Sequence, residues 1–155
     1  MTTLHHAEVS PLIQPIWVEK PVQFAINGIT YSGQIDLADE MGRIRDTKTT
    51  KNRPKPESYL FGMTGYALAA RQLTGEVETD TILDYVVATK TPYYFPVAAG
   101  GPVTDDDIVR FANTIDVVAE SIEAGRFIPN GIMSIGTCEY MCGYKDICPY
   151  YMGKK

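Results

Sequence analysis

The most informative part of this sequence is the stretch GQIDLADEMGRIRDTKTTK, residues Gly33–Lys51. Its alternation of apolar and polar residues predicts two short strands, Gly33–Leu37 and Arg43–Thr49. The segment between them, centred near Met41, carries acidic residues and a glycine and predicts a tight turn. Strands joined by so short a turn pair antiparallel, and the stretch therefore predicts a β-hairpin.

The predicted hairpin brings three charged side chains together on one face. If the turn is centred near Met41, Asp36 lies opposite Asp46, with Cβ atoms about 5 Å apart. Two carboxylates so placed repel each other unless a cation intervenes, and Mg²⁺ binds through one or two carboxylates while keeping waters for a phosphate. Alternation puts Lys48 on the face of Asp46 and turns Thr47 away. We interpret this face as a site for phosphodiester hydrolysis, and a solvated hairpin of mixed charge is the alternative.

The composition limits the class of protein. A chain of 155 residues, 45% of them hydrophobic, is long and apolar enough for one folded domain, which excludes a disordered protein. No apolar run approaches the ~18 residues of a membrane span, and no charged-then-apolar leader opens the chain. We therefore expect a cytoplasmic protein. The net charge of −5 argues against a broadly basic coat for nucleic acid.

Basic residues nevertheless crowd positions 43–55, where the only acid is Asp46. They are Arg43, Arg45, Lys48, Lys51, Arg53 and Lys55. A local basic strip beside an acidic metal site suits a phosphate backbone. We expect the three arginines and Lys51 to contact nucleic acid, although the part from Lys51 to Lys55 would also fit an ordinary solvated loop.

The other predicted elements surround the hairpin. They are a strand at Val22–Ile26, a helix from Glu57 to about Leu73, strands at Thr81–Thr89 and Tyr93–Ala98, and a helix between Thr104 and Gly125. Gly62 and Gly65 weaken the first helix and suggest the close approach of another backbone. The second helix has Thr104 as its predicted cap and a single apolar stripe, so we assign it to the core and give it no chemistry.

All the cysteines lie near the end of the chain, as Cys138, Cys142 and Cys148. Such clustering points to a metal, and thiolates suit zinc or an iron–sulfur cluster. An odd number of cysteines in a cytoplasmic chain argues against a disulfide framework. Reduced structural thiols are the alternative.

The hairpin also resembles a known signature. Asp36, followed ten residues later by Asp46-Thr47-Lys48, resembles the motif of the PD-(D/E)XK nuclease superfamily. The surrounding G-x-I-D and D-x-K-T-T resemble its RecB-like branch, which includes phage and CRISPR-associated exonucleases. The resemblance implies an α/β (α+β) restriction-endonuclease-like core, a mixed central sheet flanked by helices. Residues 1–16 are too few to hold the family's first helix, its motif histidine and its first cysteine, and we expect the first helix to be missing.

The resemblance implies roles for individual residues. Asp36 and Asp46 would bind Mg²⁺ or Mn²⁺, with the backbone carbonyl of Thr47 as a further ligand. Lys48 would position or deprotonate the attacking water. Glu19 resembles the glutamate at the start of this sheet in RecB-like sequences and would be a further metal ligand; a solvated glutamate at a strand end is the alternative.

Two further features bear on the branch. RecB-like nucleases carry a Gln-x-x-x-Tyr motif on the helix after the lysine, and Tyr66 matches its tyrosine, which makes Tyr66 a candidate catalytic residue. The glutamine position falls on Gly62, and a buried core tyrosine is the alternative for Tyr66. The tail resembles that of RecB-like iron–sulfur nucleases, which implies a 4Fe–4S cluster on Cys138, Cys142 and Cys148, with zinc as the alternative.

We therefore expect a single domain over residues 1–155, with the catalytic sheet and helix in 17–99, a helix in 104–125 and a cysteine-rich tail in 134–155. Its predicted function is that of a Mg²⁺- or Mn²⁺-dependent deoxyribonuclease, an exonuclease in phage or bacterial DNA recombination, repair or processing. DNA is the expected partner, together with a second copy of the chain or a missing N-terminal segment or subunit. The alternatives are a catalytically degenerate nucleic-acid-binding module and a cluster-bearing subunit of a larger assembly.

Overall fold

The computed structural model of the chain describes residues 7, 9–51, 59–126, 138, 140–148 and 151. The chain divides into two compact units, Met1–Asp116 and Val117–Lys155. None of the helices in the described ranges combines the length and the apolar character that a membrane span requires.

The first unit is built on a five-stranded sheet in the order β1-β2-β3-β4-β5. The strands are β1, Pro15–Ile26; β2, Ile29–Asp39; β3, Arg43–Thr50; β4, Asp80–Val87; and β5, Tyr93–Ala98. The helices are α1, Leu60–Thr74, and α2, Asp105–Glu123, with short 3₁₀ turns at Ser10–Leu12 and Lys145–Ile147. Neighbouring strands are antiparallel except β3 and β4, which are parallel. This mixed sheet with helices confirms the predicted α+β class.

The parallel pairing of β3 and β4 depends on α1. Parallel neighbours need a crossover connection, and α1 supplies it by packing against β1, β2 and β3. The core lies chiefly between the sheet and the helices, where apolar side chains of both are buried. Its members include Val22, Phe24, Ile35, Ala38, Ile44, Met63, Ala69, Ala70, Leu83, Tyr85, Val87, Phe111 and Ile115. Strands β2 and β3, which form the charged hairpin, and helix α1 therefore share one packed core.

The first three strands run longer than predicted, most clearly β1, whereas β4 ends two residues before its predicted end and β5 has its predicted bounds. Strand β1 begins at Pro15 rather than Val22, and it contains Pro21. A proline normally ends a strand because it cannot donate a ladder hydrogen bond, but an edge strand tolerates it. Because β1 is the first strand in the sheet order, both prolines sit at an edge.

The start of α2 confirms the predicted cap. The Thr104 hydroxyl accepts a hydrogen bond from the backbone N–H of Asp107 at 3.2 Å, and the Asp107 carboxylate accepts one from the backbone N–H of Thr104 at 3.1 Å. The predicted core stripe holds only for the first half of the helix. Phe111 and Ile115 are buried, whereas Val118 and Ile122 are 50% and 56% exposed, so the assignment of the whole stripe to the core was wrong.

The two glycines inside α1 differ in their surroundings. A Cβ added at Gly65 would lie 3.2 Å from Cζ of Phe111, so the close approach there is to an aromatic side chain and not to a backbone. A Cβ added at Gly62 would meet nothing within 4 Å. The predicted backbone contact is therefore wrong at both positions. The predicted start of this helix, Glu57, lies outside the described residues.

Candidate active site

The register of β2 and β3 places the two predicted carboxylates side by side. Leu37 pairs with Arg45 and Ala38 with Ile44, and one further step along the same register sets Asp36 opposite Asp46. The two side chains share a hydrogen bond. Asp46 is 2% exposed and Asp36 is half-buried, so the pair lies at the border between the core and solvent.

The pair holds a proton more tightly than isolated carboxylic acids do. Burial, the hydrogen bond to Asp46 and the charge of Asp46 raise the pKa of Asp36 to about 6, against the opposing effects of the Thr47 backbone N–H and of Lys48. A hydrogen bond between two carboxyl groups needs that proton. Once it leaves, two negative charges lie next to each other, and a cation is required to offset them.

Lys48 supplies one positive charge at this point. Its Nζ lies 2.7 Å from Oδ2 of Asp46 and 5.3 Å from the centre of the Tyr59 ring. Burial lowers the pKa of Lys48, but the hydrogen bond to Asp46 and the charges of both carboxylates outweigh it, and the net pKa lies above the ordinary value. Lys48 is therefore an ammonium at neutral pH, which suits it to stabilising negative charge rather than to removing a proton from water.

Helix α1 forms the wall that faces these groups. A small cavity of about 130 Å³ is lined by Asp46, Lys48, Tyr59, Gly62, Met63 and Tyr66. Burial, and then the charges of Asp36 and Asp46, raise the pKa of Tyr66, so its phenol keeps its proton and remains a hydrogen-bond donor. The cavity brings Tyr66 together with the hairpin residues. Sequence reasoning missed Tyr59 as a site residue, although Tyr59 and Tyr66 are seven positions apart and so lie on one face of a helix.

The structure corrects the prediction that Arg45 contacts nucleic acid. Arg45 is 5% exposed, and its guanidinium donates to both carboxylate oxygens of Asp84, at 2.8 and 2.7 Å. It also donates to Asp39 at 3.3 Å and to the hydroxyl of Tyr94 at 3.2 Å. An arginine buried in such a network is not accessible to a phosphate at the surface.

Arg43 needs a similar correction. Its Nε lies 2.7 Å from Oδ2 of Asp39, the same carboxylate oxygen that Arg45 contacts. Side chains alternate between the faces of a strand, so both arginines lie on the face opposite to Asp46. Of the other two predicted DNA contacts, Lys51 is exposed and Arg53 lies outside the described residues.

Glu19 occupies an unusual position in β1. The pairs Val18–Leu37 and Lys20–Ile35 flank it, so it lies across from Asp36. Its backbone φ of +46° is in the left-handed region, which is strained for a residue other than glycine. Within the described ranges, no three His, Cys, Asp or Glu side chains are grouped so as to hold a metal ion. The structure therefore does not bring the Glu19 carboxylate together with Asp36 and Asp46.

The donor set of the carboxylate pair fits a hard divalent cation. Carboxylate oxygens are the ligands that Mg²⁺ and Mn²⁺ prefer. Two carboxylates, those of Asp36 and Asp46, meet at this point, and Lys48 offsets only one of their two negative charges. The thiols of Cys138, Cys142 and Cys148 are free and half-buried in the second unit. They too are not grouped as a metal site among the residues that the structure describes.

Comparisons with known proteins agree with the fold and the motif. Residues 1–149 match the family model of the PD-(D/E)XK nuclease superfamily. No curated protein matches the sequence. The crystal structure of a protein from Eubacterium rectale with a provisional exonuclease designation matches with a TM-score of 0.66 and 13% identity, over 99% of this chain and 59% of that one. The structure of the protein SSO0001 matches with a TM-score of 0.51 and 16% identity, over 88% of this chain and 61% of that one.

These likenesses establish the fold, and the family model establishes the family. The chain spans about three-fifths of the length of the solved structures that it resembles, 59% and 61%. Its mixed sheet and helices form the restriction-endonuclease-like α+β fold that the hairpin motif predicted. With the family model matched over residues 1–149, the chain belongs to the PD-(D/E)XK nuclease superfamily.

Proposed function

We propose that this chain is a metal-dependent nuclease that hydrolyses phosphodiester bonds in DNA. The observation that carries the proposal is the meeting of Asp36, Asp46 and Lys48 on one face of the sheet, where Lys48 Nζ lies 2.7 Å from Asp46. Membership in the nuclease superfamily supports it. The G-x-I-D and D-x-K-T-T sequences around these residues favour the RecB-like branch.

Asp36 and Asp46 would hold Mg²⁺ or Mn²⁺, together with the Thr47 backbone carbonyl. Glu19, which lies across from Asp36 in the sheet, would join them after a change in its side-chain position. When bound there, the metal supplies Lewis-acid chemistry to the scissile phosphate and lowers the pKa of a bound water.

The residues of the chain itself would position the substrate and stabilise charge. The Lys48 ammonium, held between Asp46 and the Tyr59 ring, would stabilise the negative charge that develops on the phosphate. The protonated phenol of Tyr66 would donate a hydrogen bond to a phosphate oxygen or to the attacking water. Lys51 and Arg53 would hold the DNA backbone through sequence-independent contacts.

Two finer features follow from the resemblance. The RecB-like motifs and the provisional designation of the Eubacterium rectale protein favour exonuclease action, in the cytoplasm of a bacterium or a phage-infected cell. The cysteine tail would bind a 4Fe–4S cluster or zinc, and its fourth ligand would be His5, His6, an external thiol or none. Protein purified without oxygen should then contain iron or zinc by elemental analysis, and its absence would refute the cluster.

Cleavage of end-labelled linear and circular DNA by the purified protein, with Mn²⁺ or EDTA, tests the proposed function. We expect metal-dependent cleavage by the wild type. Asp46→Asn keeps the side-chain volume but removes a charged ligand, so metal affinity and cleavage should fall together. Lys48→Ala leaves both carboxylates in place, so metal should still bind while kcat falls by about 10²-fold or more.

Loss of the cation at position 48 should spare DNA binding, because the proposed contacts of Lys51 and Arg53 with the DNA backbone would remain. Equal cleavage by the wild type and both variants would identify a contaminating nuclease and refute the site. Cleavage of linear but not circular DNA would identify an exonuclease.

A second candidate function is favoured by one departure from the motif. Gly62 stands where RecB-like nucleases carry glutamine, and it lines the small cavity beside Asp46 and Lys48. A chain that kept the fold but lost turnover would bind DNA without metal-dependent cleavage. Gly62→Gln, which restores the motif at a position with open space, would then be expected to raise activity.

A further inference from the structure

A second, larger depression lies beside the candidate site. It has a volume of about 470 Å³ and is enclosed by the start of α1, by β4 and β5, and by the segment that leads into α2. We call it the side groove and define it by Leu60, Met63, Leu83, Val97, Ala99 and Thr104. A volume of this size falls in the range of pockets that hold small ligands, about 300–1,000 Å³.

The side groove lies next to the candidate catalytic residues. Met63 lines both the side groove and the small cavity that contains Asp46 and Lys48. In the sheet, Asp46 pairs with Leu83 on β4, and Leu83 pairs with Val97 on β5. Adjacent strands lie about 4.8 Å apart. Leu83 and Val97, which line the groove, therefore lie one and two strand spacings away from Asp46. A nucleotide spans such a distance between its phosphate and its base.

The lining of the side groove is suited to a base and not to a phosphate. Its walls are mainly aliphatic, with Leu60, Met63 and Val97 among them. Asp107 is the one charged side chain among the described residues that line it, and its carboxylate already accepts hydrogen bonds from Thr104 and Arg110. A negative charge there repels the phosphate backbone, whereas a flat, weakly polar ring loses little on leaving water for an apolar slot.

We propose that the side groove receives one unpaired nucleobase, that of the nucleotide next to the phosphate held at Asp36, Asp46 and Lys48. A base inside a duplex is stacked and paired, so it can enter a lateral pocket only after it has left the helix. The substrate is therefore single-stranded DNA or a frayed end. This inference rests on the proposed nuclease function, because it assigns the neighbouring phosphate to that site.

Equilibrium binding in EDTA, where no cleavage occurs, tests the inference. The probes are a fluorescent single-stranded oligonucleotide, the same oligonucleotide with one abasic site moved along the strand, and a blunt duplex of equal length. Removing a base that is buried against aliphatic side chains should weaken binding of the strand by about tenfold. We expect the wild type to show such a loss at one position of the abasic site, and to bind the blunt duplex more weakly than the single strand.

Ala99→Trp fills the side groove at an exposed position whose backbone hydrogen bond to Thr81 is unaffected by the side chain. This variant should bind intact and abasic strands equally, about tenfold more weakly than the wild type binds the intact strand. Ala124→Trp makes the same change at an exposed alanine outside the groove and should behave as the wild type. Leu60→Ala removes part of the wall from a side chain that is 47% exposed, and it should weaken binding less. Leu60→Ala decides the matter if Ala99→Trp does not fold.

Three results would overturn the inference: equal binding of intact and abasic strands by the wild type, unchanged base dependence in both groove variants, or blunt duplex bound as tightly as the single strand. A parallel cleavage assay in Mn²⁺ separates this inference from the proposed function. Base-dependent binding without cleavage would refute the nuclease and leave the base site standing. Cleavage without base dependence would refute the base site alone.

Discussion

At the level of single residues, the candidate site is an arrangement of charge that is incomplete without a cation. Asp46 is almost fully buried and is shared between the hydrogen bond to Asp36 and the ammonium of Lys48. In the metal-free protein below about pH 6, a proton on Asp36 takes the place of the second positive charge. Proton and metal therefore compete for the same pair of carboxylates.

This competition predicts how the stability of the metal-free protein depends on pH. Asp36 has a pKa of about 6 in the folded chain and about 4 when unfolded. Between these values the folded state binds more protons, so the free energy of unfolding falls as the pH rises. The stabilisation is fully present below about pH 4 and is lost as the pH rises through about 6. Asp36→Asn is neutral throughout and should remove this loss.

Urea unfolding in EDTA at several pH values measures the effect. We expect Asp36→Asn to unfold at higher urea than the wild type at about pH 8 and at a similar concentration at about pH 4. Glu120→Gln, at an exposed position on α2, is the control and should keep the pH dependence of the wild type. A wild-type slope that persists in Asp36→Asn would show that Asp36 does not carry the effect.

The residues of the hairpin face could be predicted because strand alternation and turn position are local. Asp36, Asp46 and Lys48 lie on one face as the sequence indicated. The same alternation places Arg43 and Arg45 on the other face. The prediction that the basic residues of positions 43–55 form one surface was therefore wrong, because it considered their positions in the sequence and not the face of the strand on which each lies. The ion-pair partner of Arg45 is Asp84, which is 39 positions away in the sequence and could not be identified from neighbouring residues. The sequence signal for this partner was Asp84, an acid in the middle of a mainly apolar strand, because a buried carboxylate must be paired.

At the level of elements, β3 separates two kinds of polar group. One face carries the candidate catalytic residues, and the other carries the network of Arg45, Asp39, Asp84 and Tyr94. The Arg45–Asp84 pair also joins the parallel strands β3 and β4 directly beside Asp46 and its neighbour Leu83. The network therefore fixes the strand that holds the site.

Breaking this pair on one side should be costly. Arg45→Met leaves Asp84 buried at 1% exposure without its cation, and we expect a loss of about 3–5 kcal/mol in the free energy of unfolding. The double variant Arg45→Met with Asp84→Leu removes both charges and should recover most of that loss. Urea unfolding of the wild type, the two single variants and the double variant measures the coupling. Additive effects in this cycle would contradict a direct pair.

The two glycines of α1 provide a second prediction at this level. Gly62→Ala should stabilise the protein by about 0.5–1 kcal/mol, since alanine favours a helix and its Cβ meets nothing within 4 Å. Gly65→Ala offers the same gain in helix propensity, but its Cβ would press on Phe111 at 3.2 Å. We therefore expect Gly65→Ala to have a lower Tm than Gly62→Ala. Thermal unfolding compares the pair, and an equal gain in both would mean that Phe111 moves freely.

The order of the elements was predictable, and their limits were less so. Periodicity and turn residues predicted each strand and both helices, because they depend on neighbours within a few positions. The extension of β1 through Pro21 depends on its place at the edge of the sheet, which is set by tertiary structure. Likewise, the apolar stripe of α2 says which side chains share a face, but not how much of that face is covered.

At the level of the whole molecule, the chain spans 59% of the Eubacterium rectale structure that it resembles. Its second unit exposes apolar side chains of α2: Val117, Val118 and Ile122 are 59%, 50% and 56% exposed. Val118 and Ile122 are four residues apart and so lie one above the other on the helix surface. Contiguous apolar groups on a surface mark a site of association.

We therefore predict that the protein self-associates through this part of α2. Light scattering should show a mass that rises with concentration in the wild type, because each copy buries the apolar side chains of another. Val118→Lys places a charge among them and should shift the protein toward the monomer. Asn113→Lys makes the same change at an exposed polar position of the same helix and should associate as the wild type does. A wild-type protein that stays a monomer at all concentrations would contradict this prediction, and equal association of both variants would move the contact to another surface.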